Sequence, residues 1–318
     1  MARSADRLKL FSPKLAAIVV FGSVVFVGCG PEDYQKTVQQ FQDASSAVIS
    51  ATESFLGNMN TTEQNMKLDE DVFEKRAIDL PALNTVQIIS PEEIKLRTDA
   101  LTALSQYTAN LSLLAQGKAG SAVGDDTSKL SSSIKNAADD AKKLPATKSG
   151  FLNNPKFSGI ASSAASAIGE VARLIVEHKA RREIEQSVVQ NDAHITALIQ
   201  LLSDDAEGAY LRQKAQMGAY GDQLSRDYEI ELQRNPDPIL LLSLAKTIKT
   251  YRAQELQLSQ ADPSSAIAKM KTAHEALVNY IRSKKDSQSL SALVNAVHEF
   301  VTASQPLGQS TQKLSCAN

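Results

Sequence analysis

The side chains able to do acid–base, metal or nucleophilic chemistry in this 318-residue chain are four histidines, two cysteines and many scattered carboxylates and serines. A metal site on helices needs Glu-x-x-His, so that both ligands share one face. Three residues before His178, His194, His274 and His298 stand Ile175, Asn191, Lys271 and Asn295, so that pattern is absent. His-Glu-x-x-His and Cys-x-x-Cys are absent too, and a metal or acid–base centre would have to be assembled across helices around these four histidines. His178 and His274 fall on apolar stripes, which predicts hydrogen-bonded core or edge positions. Ser-x-x-Lys, the spacing that lets a lysine activate a serine one turn away, starts at Ser132, Ser243 and Ser310. A chain this rich in Ser and Lys yields such matches by chance, and the Ser-Asp-Asn and Lys-Thr-Gly elements that complete such a site are missing. There is neither a Gly-rich phosphate loop nor a Gly-x-Ser-x-Gly elbow. The residue pattern therefore predicts no catalytic residues, no metal site and no cofactor.

Cys29 has a more definite context. Arg3, Arg7, Lys9 and Lys14 precede an apolar run from Leu15 to Val27, and Gly28-Cys29 follows it, which is the order of a secretory signal peptide. As a helix the apolar run would span roughly 20 Å, short of the roughly 30 Å hydrocarbon core of a bilayer. Phe26-Val27-Gly28-Cys29 resembles the lipobox of bacterial lipoproteins, with Phe26 where Leu is usual. The resemblance covers the signal segment alone. It implies cleavage by signal peptidase II between Gly28 and Cys29, attachment of acyl chains such as palmitate to Cys29, and a membrane-tethered body. Gly30 in place of Asp after the cysteine implies, by the same resemblance, the outer membrane facing the periplasm in an organism that has one. Two or three acyl chains hold a protein stably where one holds it only marginally. The same residues also fit a general signal peptide with a cysteine near its cleavage site, or a short signal anchor. If Cys29 is acylated, Cys316 is a free thiol or pairs between molecules, and a Cys29–Cys316 disulfide is the competing arrangement.

These residues must be carried by helices. The chain has only 14 Gly and 10 Pro, no Trp and 5% aromatic residues, which excludes an all-β fold. Its formal net charge is −2, and loss of residues 1–28 removes four basic residues and Asp6, so the exported part is mildly acidic and nucleic acid is excluded as a partner. Apolar residues recur at spacings of three and four over most of the body. Tyr34 to Met59 reads as one helix of about 28 residues, roughly 40 Å long, followed by a short helix around Asp69 to Ala77. Ser90-Pro91-Glu92-Glu93 predicts a capping box and a helix that Gly117 and Gly120 end. Further helices are expected over 123–144, from Asn154-Pro155 to His178, and from Arg181 to Arg234. That last stretch is one helix or two separated near Asn191-Asp192, with a kink or an end at Gly208, Gly218 or Gly221. Asp237-Pro238 and Asp262-Pro263 start two more helices, on the stripes Ile239, Leu242, Ile248, Tyr251 and Ile267, Met270, His274, Leu277, Ile281. The last helix is expected from Ser287 to Ala303.

The expected architecture is all-α, an elongated bundle of seven or eight long antiparallel, partly coiled-coil-like helices. Its organisation is a signal peptide (1–28), one extended domain (29–304) with possible lobes 31–145 and 155–304, and a flexible polar tail (305–318). The functional expectation is a non-catalytic binding or scaffolding body, tethered through Cys29, with a protein partner in the cell envelope. The competing expectation is a cell-envelope hydrolase or metal-dependent enzyme whose site gathers around the histidines.

Overall fold

Proline, carboxylate and glycine punctuation decides where the helices begin. The computed structural model describes residues 31–117, 157–234, 237–259 and 262–315, and among these every regular element is an α-helix. They are α1 (Pro31–Phe73), α2 (Leu80–Asn84), α3 (Pro91–Ala115), α4 (Phe157–Val176), α5 (Arg181–Gln190), α6 (Asp192–Arg234), α7 (Pro238–Ser259), α8 (Pro263–Arg282) and α9 (Ser287–Ser315). Ser90 Oγ accepts from the Glu93 amide at 3.2 Å and the Glu93 carboxylate accepts from the Ser90 amide at 3.2 Å, completing the predicted capping box. Asp237 and Asp262 each accept a backbone N–H two residues on, both at 2.9 Å. Gly117 takes the left-handed conformation that follows the end of α3, with φ +69°. The helix expected over 123–144 lies outside the described residues.

The main bundle buries the three-four stripes against one another. α1 lies between α3 and α9, α8 packs on α9 and α6, and α4 bridges α3 and α6. Phe41 of α1 meets Phe300 of α9 with ring centroids 5.8 Å apart, and Tyr34 meets Tyr280 of α8 at 4.9 Å. α4 has the one apolar window among the described residues long enough to cross a membrane, Gly159–Val176. Its Ala161, Ala164, Ile168, Val171 and Ile175 are buried, which makes it a core helix of the bundle.

Several expectations change. α1 does not stop near Met59 but continues to Phe73, absorbing most of the short helix expected at 69–77. Residues 55, 59, 62, 66, 69 and 73 keep the three-four spacing, and the stripe was hidden because Thr62 and Asp69 occupy two of its places. The break at Asn191 is present, but α6 then runs unbroken through Gly208, Gly218 and Gly221. Three glycines cost roughly 3 kcal/mol relative to Ala, and burial of Tyr210, Met217, Tyr220 and Leu224 at about 1.5–3 kcal/mol each outweighs them. α9 continues through Pro306 to Ser315, so the tail expected at 305–318 is helical as far as the structure describes it. Leu307, 3% exposed, extends the stripe of Leu293, Val297, Phe300 and Ser304 into the core and holds that last stretch in place.

A second, smaller core lies apart from the first. The C-terminal half of α6 and all of α7 form an antiparallel hairpin that buries Tyr210, Met217, Tyr220, Leu224, Leu244, Tyr251 and Leu258. Phe55, Met66 and Phe73 from the C-terminal half of α1 pack against it. This three-helix arm takes α1 and α6 onward from the bundle in the same direction.

Candidate functional site

The arm holds a groove of about 390 Å³. α1 supplies one wall and α7 the other, and α6 lies between them with Gln213 and Met217. Gly221 and Gly218 of α6 face α7, and a Cβ on either would make an ordinary contact, 3.6 Å from the Arg252 guanidinium and 3.6 Å from Glu255 Oε1. Arg252 itself is held by Asp222 at 2.8 Å and by Glu255 at 2.9 Å. α1 and α7 face each other across the groove, and besides the packing of Phe55, Met66 and Phe73, side-chain hydrogen bonds join α1 to the hairpin. Gln213 Nε2 donates to Thr62 Oγ1 at 3.4 Å, and the Tyr251 hydroxyl donates to the Asp69 carboxylate at 3.2 Å.

The electrostatics of the groove are mild. Burial raises the pKa of Asp69 and the Tyr251 hydrogen bond opposes that rise. Burial first, then the charge of Asp69, raises the phenols of Tyr220 and Tyr251, so both stay protonated donors at neutral pH. Tyr220 meets Tyr251 edge-on, with centroids 4.9 Å apart, and its hydroxyl has no hydrogen-bond partner. Gln213 is 7% exposed, lines the groove, and has no partner for Oε1. Whichever way its amide is turned, one of its two polar atoms is left over beside Thr62. A buried polar atom without a partner costs about 1–3 kcal/mol, so this is a place where a ligand's donor or acceptor would be favourable.

Of the four histidines one is buried and three are exposed. His274 is fully buried in the bundle, with Nε2 3.0 Å from the Tyr107 hydroxyl. Nδ1 lies 3.6 Å from Asp192, whose other oxygen is held by Arg282 at 3.0 Å. Burial holds the imidazole pKa down at about 4, with Asp192 pulling the other way, so the ring is neutral at pH 7. This Tyr-His-Asp set has the residue types of an acid–base relay, yet the ring at 0% exposure is closed to a substrate. His178 does not reach the core: α4 ends at Val176 and His178 is the exposed left-handed residue that follows, with φ +53°. His194 and His298 are exposed. Among the described residues no three His, Cys, Asp or Glu side chains are placed to hold a metal ion.

Gly28, Cys29 and Cys316 lie outside the described residues, as does Ser132. The groove residues went unpredicted, since Thr62 and Asp69 were read as a loss of periodicity. The available signal was polar residues seated in an otherwise continuous stripe. The stripe assigned to α7 is half right, since Ile248 and Tyr251 do pack into the hairpin. Leu244, Tyr251 and Leu258 face the hairpin core, while Ile239 and Leu242 are 79% and 56% exposed. The chain matches no protein-family model, no curated protein and no solved structure.

Proposed function

We propose that the chain is a cell-envelope lipoprotein, acylated at Cys29 after cleavage from Gly28, whose helical body is a non-catalytic binding or scaffolding module. In this reading it is anchored in the outer membrane, faces the periplasm and engages a protein partner there. The observation that carries the reading is the continuity of α1. Its first residue, Pro31, is two places after Cys29, and the same helix forms one wall of the groove from Phe55 to Asp69. At 1.5 Å per residue, Asp69 stands up to about 57 Å along the helix from Pro31, so the arm is the end held away from a tether at Cys29. The tip of the arm supports a protein partner, because Ile230 and Leu232 of α6 and Ile239 and Leu242 of α7 are all about half exposed or more.

Labelled palmitate tests the tether. The full-length protein is expected to incorporate the label and fractionate with membranes, and Cys29→Ala to lose the label while keeping its helical circular dichroism. A wild-type protein that takes up no lipid label, and whose processing is unchanged by Cys29→Ala, would remove the anchor from this account.

A further inference from the structure

We propose that the groove between α1, α6 and α7 binds a neutral oligosaccharide. The inference rests on the reading of the arm as the binding end and names the ligand of its groove. From Phe55 to Asp69 the α1 wall is about 21 Å long at 1.5 Å per residue. Along it Asn58, Thr61 and Asn65 present amides and a hydroxyl at three- and four-residue spacing, all exposed. Facing them, Thr247, Thr250 and Gln254 repeat the same chemistry along α7. The Asn and Gln amides both donate and accept, as sugar hydroxyls do, and the Thr247 and Thr250 hydroxyls, which donate to the Ser243 and Lys246 carbonyls at 3.1 and 3.0 Å, keep lone pairs to accept. Phe55, Met217 and Leu258 supply apolar surface of the kind that meets the C–H face of a sugar ring. The deeper polar groups, Gln213 and Asp69, call for donors: Gln213 has a buried amide atom without a partner, and the Asp69 carboxylate accepts one hydrogen bond from Tyr251.

Other ligand chemistries fit less well. A phosphate or nucleic acid would find one cation, Lys246 at the rim, and the Asp69 carboxylate opposing it. A metal ion would find a single carboxylate. An apolar helix laid in the groove would meet the exposed Asn58, Thr61, Asn65 and Thr250 and leave the buried Gln213 amide atom without a partner. An acyl chain would cover the apolar lining but leave the same amide atom unpaired.

The test uses the mature lipidated protein in a detergent without a sugar headgroup. Maltotetraose, cellotetraose and chitotetraose are each titrated by calorimetry, with tetra-alanine as the peptide control. At least one tetrasaccharide is expected to bind. Gln213→Leu and Thr250→Lys should each weaken that binding about tenfold or more, with circular dichroism unchanged. Thr250 is exposed, so its substitution keeps the test valid even if Gln213→Leu disturbs packing. Binding of none of the three sugars, or binding that ignores both substitutions, overturns the proposal. Tetra-alanine binding that Thr250→Lys abolishes, in the absence of sugar binding, overturns the sugar class and keeps the arm as the binding end. A photo-crosslinking residue placed at 242 tests that wider reading separately, through capture of an envelope protein at the tip.

Discussion

In the bundle, α1 is flanked by α3 and α9, and the polar residues on its buried stripe turn inward on their own helix: Ser45 donates to the Phe41 carbonyl at 2.6 Å and Thr52 to that of Val48 at 2.8 Å. In the arm the same helix leaves one flank uncovered. On its stripe there, Thr62 still donates to the Asn58 carbonyl at 3.1 Å but also accepts from Gln213, and Asp69 accepts from Tyr251. Both regions keep buried polar atoms without a partner, Gln106 Oε1 and Asn110 Nδ2 in the bundle and Gln213 Oε1 in the arm, and of these Gln213 lines the groove. A single helix can therefore serve as core and as binding wall, and the change is made by the neighbours that cover it. The bundle pairs a buried charge between α3 and α6. Arg97, 3% exposed at its side chain, holds Asp205 at 2.9 Å, and burial still raises the Asp205 pKa to about 6 against that pull.

Substitutions in the two regions should separate accordingly. Phe300→Ala, at a fully buried ring against Phe41, should destabilise the whole protein by about 3–5 kcal/mol, read from the chemical denaturation midpoint. Leu244→Ala in the arm should cost about 2–3 kcal/mol. Hydrogen exchange should place that loss in α7 and the end of α6, with bundle amides unchanged. Equal loosening of both regions would mean that the arm is no separate unit.

His274 gives the bundle a pH signature of its own. Its pKa is about 4 in the folded protein against 6.5 when exposed, so between those values the unfolded chain takes up a proton that the native state refuses. Stability from this site is complete above about pH 6.5 and falls as the pH drops toward about 4. His274→Gln should flatten the dependence in that window, and an unchanged slope in denaturation midpoints between pH 6.5 and 4 would contradict the buried neutral ring. Smaller effects belong to backbone devices. Ser90→Ala should cost about 1 kcal/mol by opening the capping box. Gly221→Ala should stabilise the arm by up to about 1 kcal/mol, since its Cβ meets only ordinary contacts. Thr250→Val, at an exposed wall position, should move stability by less than about 0.5 kcal/mol, and a larger loss would make that wall structural.

How much of this was legible follows from what the sequence signals measure. Caps and stripes are local, so the starts at Ser90, Asp237 and Asp262 and the all-α class could be read directly. Helix ends depend on tertiary cover: the glycines of α6, Pro306 in α9 and the polar stretch of α1 all signalled termination, and packing overrode each one. The groove was invisible for a related reason. Its polar residues come from three helices and lie up to nearly 200 positions apart in the chain, from Asn58 to Gln254, and each group alone looks like surface. His274 and His178 carried the same apolar-stripe signal, and only one of the two helices continued far enough to bury its ring.

The central claim is that α1 holds the arm away from a tether at Cys29. Energy transfer from a fluorophore on Thr250→Cys to an acceptor in the lipid headgroups tests it most directly, with the protein acylated, reconstituted in vesicles and its Cys316 replaced by Ser. With the arm held off the bilayer, transfer should be weak, as for a separation of about 40–60 Å set by the rise of α1, and Phe300→Ala should raise it as the bundle loosens. Strong transfer from the folded wild-type sequence background, with the label lying at the headgroups, would contradict the claim and place the arm on the membrane.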